Sequence, residues 1–409
     1  MSEVLFLAHR VPFPPDRGDK IRAHHLLRFL AGRARVHVGC FTENEADRAA
    51  LRELAAVAAS HHAPRRAKPL ALAGAEAVLA GKPVSLTAFH HAGLAQWVRQ
   101  TLAERPIAAI VVFSGQMGQY VPSDFAGRVI VDLCDVDSAK FEAYAAAGER
   151  VWLNRREARL LAAEEARLTA RADATLLISR AEAELFEARL AGSANARIEV
   201  VGNGIDAHCF DPALVAPHEA LAAQPGPHFV FTGQMDYRPN EQAALFAIDR
   251  FLPAVRAAFP AAQLHIVGRS ARAGLIARGS APGVKVWGEV PDVRPFLAGS
   301  HCVVAPLMIA RGVQNKVLEA MAMACPVLLT TEAATGIDAR DGAHWLVAPA
   351  EPDAMLERVR PILENAAAAR SLGEEARRFV LAHHAWEACL APLARLLDFP
   401  TSSEARNAA

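Results

Sequence analysis

The chain has 409 residues, about twice the size of a common single domain, so its length predicts two domains. Lys plus Arg and Asp plus Glu number 44 each, and this balance argues against a dedicated nucleic-acid-binding protein. A 52% apolar and 22% charged composition is typical of a globular chain. Charge is uneven, however: the first hundred residues carry 14 Lys or Arg against 8 Asp or Glu.

The sequence contains no sign of export or of membrane insertion. Residues 1–8 lack a basic segment and a long apolar stretch, and no run of about 18 apolar residues occurs elsewhere. We therefore expect a cytoplasmic protein. Its six cysteines have neither zinc-ligand spacing nor the density of a disulfide framework, and buried thiols are the expectation for most of them.

Short apolar runs alternate with helical patterns along the whole chain. The runs predict buried strands, which in the first half lie at 4–8, 36–41, 108–113, 129–133 and 174–178, with a helix at 20–30. In the second half they lie at 229–231, 263–267, 284–287, 302–305, 326–329 and 344–347, with helices at 241–259 and 316–323. Continuous apolar strands alternating with helices indicate α/β domains with doubly wound, Rossmann-like parallel sheets.

The joint between the two predicted domains lies near 195–212, around the turn Asn203-Gly204. The predicted organisation is an N-terminal domain over 1–195, a C-terminal domain over 196–385, a final helix over 386–400 and a tail over 401–409. Ligands of open parallel sheets bind beyond the carboxyl ends of the strands. Two such domains facing each other would enclose one cleft.

The most informative segment, 302–329, reads as strand, glycine-containing loop, helix, turn and strand. The loop Gly312-Val313-Gln314-Asn315 leads into a helix start, where unpaired backbone N–H groups and the helix dipole favour a phosphate. Lys316 offers positive charge there, and Glu319 lies three residues later on nearly the same helix face. A carboxylate in that position can accept two hydrogen bonds from a ribose diol.

An ordinary alternative is that Lys316 and Glu319 form a local salt pair on a solvated helix. The intervening and following residues are apolar, which predicts a largely buried helix. Because buried charges need a partner, the pattern favours a ligand over the local pair.

The segment 302–329 resembles the signature of glycosyltransferase family 4, retaining enzymes of the GT-B fold. In that family a Glu is separated by seven residues from a Glu-Ala-Met-Ala sequence, and a Pro-Val strand follows. Glu319 matches the second Glu, which the resemblance assigns to the nucleotide ribose. Arg311 stands where the family's first Glu would contact the donor sugar, which implies altered sugar contacts. Gly312 matches the glycine whose backbone approaches the donor.

Further matches to this family are spread over residues 195–400. They imply donor contacts at the ends of the first C-terminal strands, and the residues concerned are Gly233, Arg238, Gly268, Arg269, Gly288 and Val290. Gln234 replaces the family's usual Arg, so Arg238, Arg269 and Lys316 are the candidates for binding the diphosphate.

Two loops of the N-terminal half are also candidates. Gly18 lies between the first strand and the first helix, where the backbone can approach an anion; the alternative is an ordinary connection with Asp19 as N-cap. The string Asp-Arg-Gly-Asp-Lys-Ile-Arg over 16–22 resembles sugar transferases of bacterial exopolysaccharide systems. Asp135 and Asp137 have the Asp-x-Asp form that can bind a divalent metal, but the resemblance implies no metal, and Asp135 is expected to contact the sugar or acceptor.

The sequence thus predicts a retaining glycosyltransferase that uses a nucleotide diphosphate sugar, with Asp135, Arg311 and Lys316 in catalytic roles and no cofactor. Expected partners are the donor and a hydroxyl acceptor such as a lipid-linked glycan, but no nucleic acid. The basic run 61–68 and Arg155-Arg156 suggest a peripheral contact with an anionic membrane face. The alternatives are a GT-B-like nucleotide-sugar epimerase and a catalytically silent nucleotide-sugar binding protein.

Overall fold

The computed structural model describes residues 3–15, 18–146, 148–190, 196–310 and 313–398. It divides into two compact units. The first contains the residues up to Asn203 together with the segment from Cys389, and the second is Gly204–Ala388. Within the described residues, no helix is both long and apolar enough to cross a bilayer.

The first unit is built on a parallel seven-stranded sheet with the order β3-β2-β1-β4-β5-β6-β7. Its strands are β1 (Glu3–Ala8), β2 (Arg35–Gly39), β3 (Ser60–His62), β4 (Ile107–Phe113), β5 (Arg128–Cys134), β6 (Ala174–Leu177) and β7 (Ile198–Val200). Helices on both faces leave the central strands buried, which explains their uninterrupted apolar sequences.

The helices of the first unit connect successive strands. They are α1 (Gly18–Ala31), α2 (Glu45–Ala49), α3 (Leu51–Val57), α4 (Leu70–Ala80), α5 (Val84–Ala88), α6 (Ala92–Glu104), α7 (Asp137–Ala146), α8 (Val151–Thr169) and α9 (Arg180–Arg189), with a 3-10 turn at Gly115–Tyr120.

The second unit has a parallel six-stranded sheet with the order β10-β9-β8-β11-β12-β13. Its strands are β8 (His228–Thr232), β9 (Gln263–Val267), β10 (Val284–Gly288), β11 (Cys302–Ala305), β12 (Val327–Thr330) and β13 (Leu346–Ala348). In both sheets the strand order reverses next to the first strand, and this point is where an open parallel sheet binds ligands.

Helices again alternate with the strands of this half. They are α10 (Glu219–Ala222), α11 (Arg238–Phe246), α12 (Leu252–Ala258), α13 (Ala273–Arg278), α14 (Arg294–Ala298), α15 (Asn315–Ala322), α16 (Pro352–Glu364), α17 (Ala366–His383) and α18 (Trp386–Cys389). The last helix, α19 (Ala391–Leu396), belongs to the first unit. A 3-10 turn lies at Pro212–Leu214, and a π-helical segment at Ala247–Phe251 joins α11 to α12.

Three details differ from the sequence-based expectation. β7 pairs with β6, so the strand after residue 195 belongs to the first sheet, and the first unit extends to Asn203. The helix expected at 241–259 starts earlier, at Arg238, and contains the π-helical segment. The expected final helix at 386–400 is divided into α18 and α19, and residues 399–409 lie outside the described part.

Candidate functional site

A pocket of about 460 Å³ opens at the carboxyl ends of the second sheet, beside the point where its strand order reverses. The ends of β8, β9 and β10 and the helices α11 and α15 supply its lining, which comprises Thr232, Gly233, Gln234, Asn240, Val267, Gly268, Arg269, Glu289, Val290, Val293, Val313, Asn315, Lys316 and Glu319. A parallel sheet brings these loops together because its strands all end at the same edge.

Two glycines allow the loops after β8 and β9 to approach each other. Gly233 and Gly268 have φ values of +157° and +154°, which side chains rarely tolerate. A Cβ on Gly268 would lie 1.6 Å from the Gly233 carbonyl oxygen, and one on Gly233 would lie 3.1 Å from Lys316 Nζ. Backbone therefore forms this wall of the pocket, and a ligand can come close to it.

Lys316 lies in the first turn of α15 and is oriented by its neighbours. Its ammonium donates a hydrogen bond to Asn240 Oδ1 and lies 4.7 Å from the centroid of the Phe231 ring. Asn240 is held in turn, since its Nδ2 donates to the Gln234 carbonyl oxygen at 2.9 Å. Burial lowers the pKa of Lys316 to about 8, although Glu319 opposes this shift. At neutral pH the side chain is therefore still mainly a cation.

Glu319 lies almost one turn further along α15, between residues that are buried. Burial raises the pKa of its carboxyl group, and the Lys316 charge only partly compensates. Within the described part of the chain no hydrogen bond or ion pair joins the two side chains, so the local salt pair considered above is wrong. A half-buried carboxylate without a protein partner is costly, and a ligand with hydroxyl donors would satisfy it.

Two further polar groups line the pocket. Arg269 Nη2 donates to Gln234 Oε1 at 3.0 Å, which holds the guanidinium at the exposed rim. Thr232 Oγ1 is buried and has no hydrogen-bond partner among the described residues. Two cations thus converge on one pocket with a carboxylate and a hydroxyl that have no partner among the described residues. This combination suits a ligand that carries both anionic oxygens and hydroxyl groups.

The pocket contains seven of the predicted donor-binding residues, namely Gly233, Gly268, Arg269, Val290, Asn315, Lys316 and Glu319. Arg238 opens α11 and is exposed, and neither it nor Gly288 nor Gln314 lines the pocket. Of the three candidates for diphosphate charge, the geometry thus favours Arg269 and Lys316. Arg311 and Gly312 lie outside the described residues.

Sequence reasoning assigned no role to Thr232, Asn240, Glu289, Val293 or Val313, all of which line the pocket. The sequence did contain a sign that Asn240 belongs to the site, since this residue follows the glycine loop after β8 at the start of a helix. The others have residue types that are common at strand ends and in loops. Only the convergence of three loops distinguishes them.

The three charged residues of the 16–22 string that the structure describes, Asp19, Lys20 and Arg22, have partners inside the protein. Lys20 Nζ donates to Asp47 at 2.6 Å, and Arg22 Nε donates to Asp132 at 2.8 Å, both pairs being buried. Asp19 lies inside the first turn of α1 and binds Arg10 at 2.5 Å, so it is not the N-cap. Gly18 opens this helix, and a Cβ placed on it meets nothing within 4 Å. Much of the string is therefore structural, while the space at Gly18 remains open.

Asp135 directly follows β5 in the same unit; the residue is accessible from solvent, but its carboxyl group is partly enclosed by neighbouring atoms. Burial and the neighbouring charges of Glu182 and Asp137 raise the pKa of its carboxyl group. Burial likewise raises the pKa of Asp137. In the portion of the chain that the structure describes, no group of three or more His, Cys, Asp or Glu side chains is arranged as a metal site.

The residues that line this pocket lie within a segment that matches a known protein family. Residues 226–365, which include the whole pocket lining, match the family model described as glycosyl transferases group 1. No curated protein matches the chain.

Solved structures match over almost the full length. Sucrose-phosphate synthase from Thermosynechococcus elongatus has 18% identity and a TM-score of 0.60, covering 97% of this chain and 98% of its own. HepE from Anabaena in complex with UDP has 16% identity and a TM-score of 0.63, covering 97% and 100%. WaaG, a glycosyltransferase involved in lipopolysaccharide biosynthesis, has 17% identity and a TM-score of 0.58, covering 96% and 99%.

The chain has the GT-B fold. Two parallel-sheet α/β units together with these structural neighbours confirm the fold class predicted from the sequence.

Proposed function

We propose that this protein is a retaining glycosyltransferase that moves a sugar from a nucleotide diphosphate donor to a hydroxyl acceptor. The observation that carries the proposal is the pocket of the second unit, where Lys316 and Arg269 converge with Glu319, whose carboxylate has no partner in the part of the chain that the structure describes. The match of residues 226–365 to group 1 glycosyl transferases supports it independently.

In the proposed complex the donor lies across the carboxyl ends of β8, β9 and β10. Glu319 accepts hydrogen bonds from the ribose diol, which compensates the burial of its charge. Lys316 and Arg269 neutralise the diphosphate, and the N–H groups at the start of α15 add further positive electrostatic potential there. The backbone at Gly233 and Gly268 permits close approach, since no side chain stands between it and the ligand. UDP is a reasonable first nucleotide to test, because HepE was solved with it.

The residues of this pocket would act mainly on the leaving group. As the bond between the sugar and the diphosphate breaks, negative charge grows on the departing oxygens, and the fixed cations Lys316 and Arg269 stabilise it. The acceptor hydroxyl attacks the sugar carbon from the same face, which gives the retained configuration, and its proton passes to the departing diphosphate oxygen. On the family resemblance we assign a contact with the sugar or acceptor to Asp135, and one with a phosphate or a charged sugar to Arg311. No metal is needed for this charge balance.

The proposed biological setting is the assembly of exopolysaccharide or another cell-surface glycan in the cytoplasm, with a hexose as the transferred sugar and a lipid-linked glycan as acceptor. This setting rests on the resemblance of the 16–22 string to exopolysaccharide transferases and on the positive charge of the first hundred residues.

Thermal unfolding with a panel of nucleoside diphosphates and their sugars tests the donor site. A ligand at a hundred times its Kd should add about 2.7 kcal/mol to the free energy of unfolding, and hence raise Tm. Enzymatic transfer would then release the nucleoside diphosphate only when an acceptor is added. Conversion of the donor without acceptor would indicate an epimerase, and binding without release a silent binding protein. If no nucleotide raises Tm, the proposal is wrong.

A further inference from the structure

Helix α4 of the first unit has an unusual surface. Its eleven residues, Leu-Ala-Leu-Ala-Gly-Ala-Glu-Ala-Val-Leu-Ala, contain a single charge, Glu76, which accepts a hydrogen bond from Lys68 at 2.6 Å. Only Ala73 and Ala77, one turn apart, are buried. The side of α4 that packs on the protein is thus lined by small alanines, and its larger side chains point elsewhere.

The solvent side of α4 carries those larger apolar groups. Leu79 is 89% exposed, Leu70 67%, Val78 55% and Leu72 51%. A surface helix normally turns its polar face to water, and a helix that is apolar all round is normally covered. The outward face of α4 therefore has the composition of a contact surface.

Arginines of α8 lie beside the carboxyl end of α4. Arg156 at the start of α8 donates to the carbonyl oxygens of Ala77 and Lys82, so the first turns of α8 lie against the carboxyl end of α4. Arg155 and Arg159 are exposed on α8, and neither forms an ion pair within the part of the chain that the structure describes. They share a groove of about 640 Å³ with Trp152, whose ring is 70% exposed.

We propose that the outward face of α4, together with Trp152, Arg155 and Arg159, docks on an anionic lipid bilayer. The apolar side chains would enter the boundary between headgroups and acyl chains, while the arginines remain at the level of the lipid phosphates. An exposed Trp suits that boundary because its ring is apolar and its N–H can still be hydrated. The inference is independent of the proposed donor.

This location differs from the basic run at 61–68 that the sequence suggested. Of the three cations in that run, Arg66 is bound to Glu43 and Lys68 to Glu76, which leaves Arg65 as its one exposed cation. Arg156, also expected at the membrane, is bound to Glu157 and to carbonyl groups. The tertiary structure leaves Arg155 and Arg159 exposed, outside any ion pair among the described residues, and beside the carboxyl end of the apolar helix α4.

A second copy of this chain fits the face less well. A helix of eleven residues is about 16 Å long and about 10 Å wide, which offers roughly a fifth of the ~800 Å² per partner in a stable interface. Pairing α4 with itself would also bring Arg155 and Arg159 towards the same arginines of the other copy. A bilayer has neither limitation, since it is anionic and apolar contact with it needs no shape complementarity.

Co-sedimentation of the full chain with vesicles tests the proposal. We expect binding to phosphatidylcholine vesicles that contain phosphatidylglycerol, weaker binding to phosphatidylcholine alone, and release by salt. Removing two charges in R155Q/R159Q should weaken binding about 30-fold, since each cation near the surface contributes about 1 kcal/mol. L72S/L79S should weaken it at least about tenfold, because less apolar surface enters the lipid.

Matched controls lie in the second unit, where Leu214 is 72% exposed and Arg250 is exposed. L214S and R250Q should bind vesicles as the parent chain does. A blue shift of Trp fluorescence on adding vesicles should disappear in W152F. Unchanged Tm values and unchanged donor-induced shifts would show that the variants remain folded and that the donor site is intact.

Failure of the parent chain to bind the anionic vesicles, or binding by R155Q/R159Q and L72S/L79S at the parent level, would overturn the proposal. A concentration-dependent dimer that L72S/L79S abolishes, without any lipid binding, would assign the face to a second copy instead. Because vesicle binding and nucleotide-induced stabilisation are measured separately, a failure of the donor proposal leaves this result interpretable.

Discussion

Replacement of Glu319 tests the donor site most directly. Its carboxylate is half buried, burial raises its pKa, and the charge of Lys316 opposes this shift. A ribose diol would donate two hydrogen bonds to it, each worth about 1.5–3 kcal/mol because the acceptor is charged. E319A should therefore lose about 3 kcal/mol of donor affinity or more, roughly a hundredfold in Kd or greater. E319Q retains one neutral acceptor and should lose roughly tenfold.

In the protein without ligand, replacing Glu319 should increase the stability of the fold. A pKa that is raised in the folded state means that ionised Glu319 destabilises folding above that pKa, and that the cost vanishes as pH falls below the unfolded value. At neutral pH E319Q should therefore have a higher Tm than the parent chain. Isothermal titration with the nucleotide and thermal unfolding without it measure the two effects. Unchanged nucleotide affinity in E319A would refute the ribose assignment.

The other predictions concern charge and backbone. Donor affinity should fall about tenfold per pH unit above pH 8, where Lys316 loses its proton, and K316R should bind with a flatter pH profile in the same titration. G268A should lower the free energy of unfolding by several kcal/mol, because Gly268 has a φ of +154° and an added Cβ would overlap the backbone. G18A should leave the free energy of unfolding within about 1 kcal/mol of the parent value, yet reduce transfer if a substrate approaches that backbone. R22A should cost about 3–5 kcal/mol in urea unfolding, because it leaves buried Asp132 without its cation; a loss below 1 kcal/mol would contradict this account.

Much of the architecture could be predicted from local pattern. The apolar runs became strands within about two residues, because a strand covered by helices on both faces must be apolar throughout. The glycines after β8 and β9 were recognisable because each directly follows an apolar run, and Glu319 because it is a charge on an otherwise apolar helix. The boundary between the units was less accurate, since β7 is short and only its pairing with β6 assigns it to the first sheet.

By itself, the sequence determined the fold class and the helix that carries Lys316 and Glu319, because periodicity and glycine placement are local properties. Only the tertiary structure decided which charges have partners. It showed that Arg22 and Lys20 form buried ion pairs, whereas Glu319 has no partner among the described residues. It also placed the arginines of α8 beside the apolar face of α4, some 75 residues earlier in the chain. Such pairings depend on which loops and helices a sheet brings together, and no sequence window contains both partners.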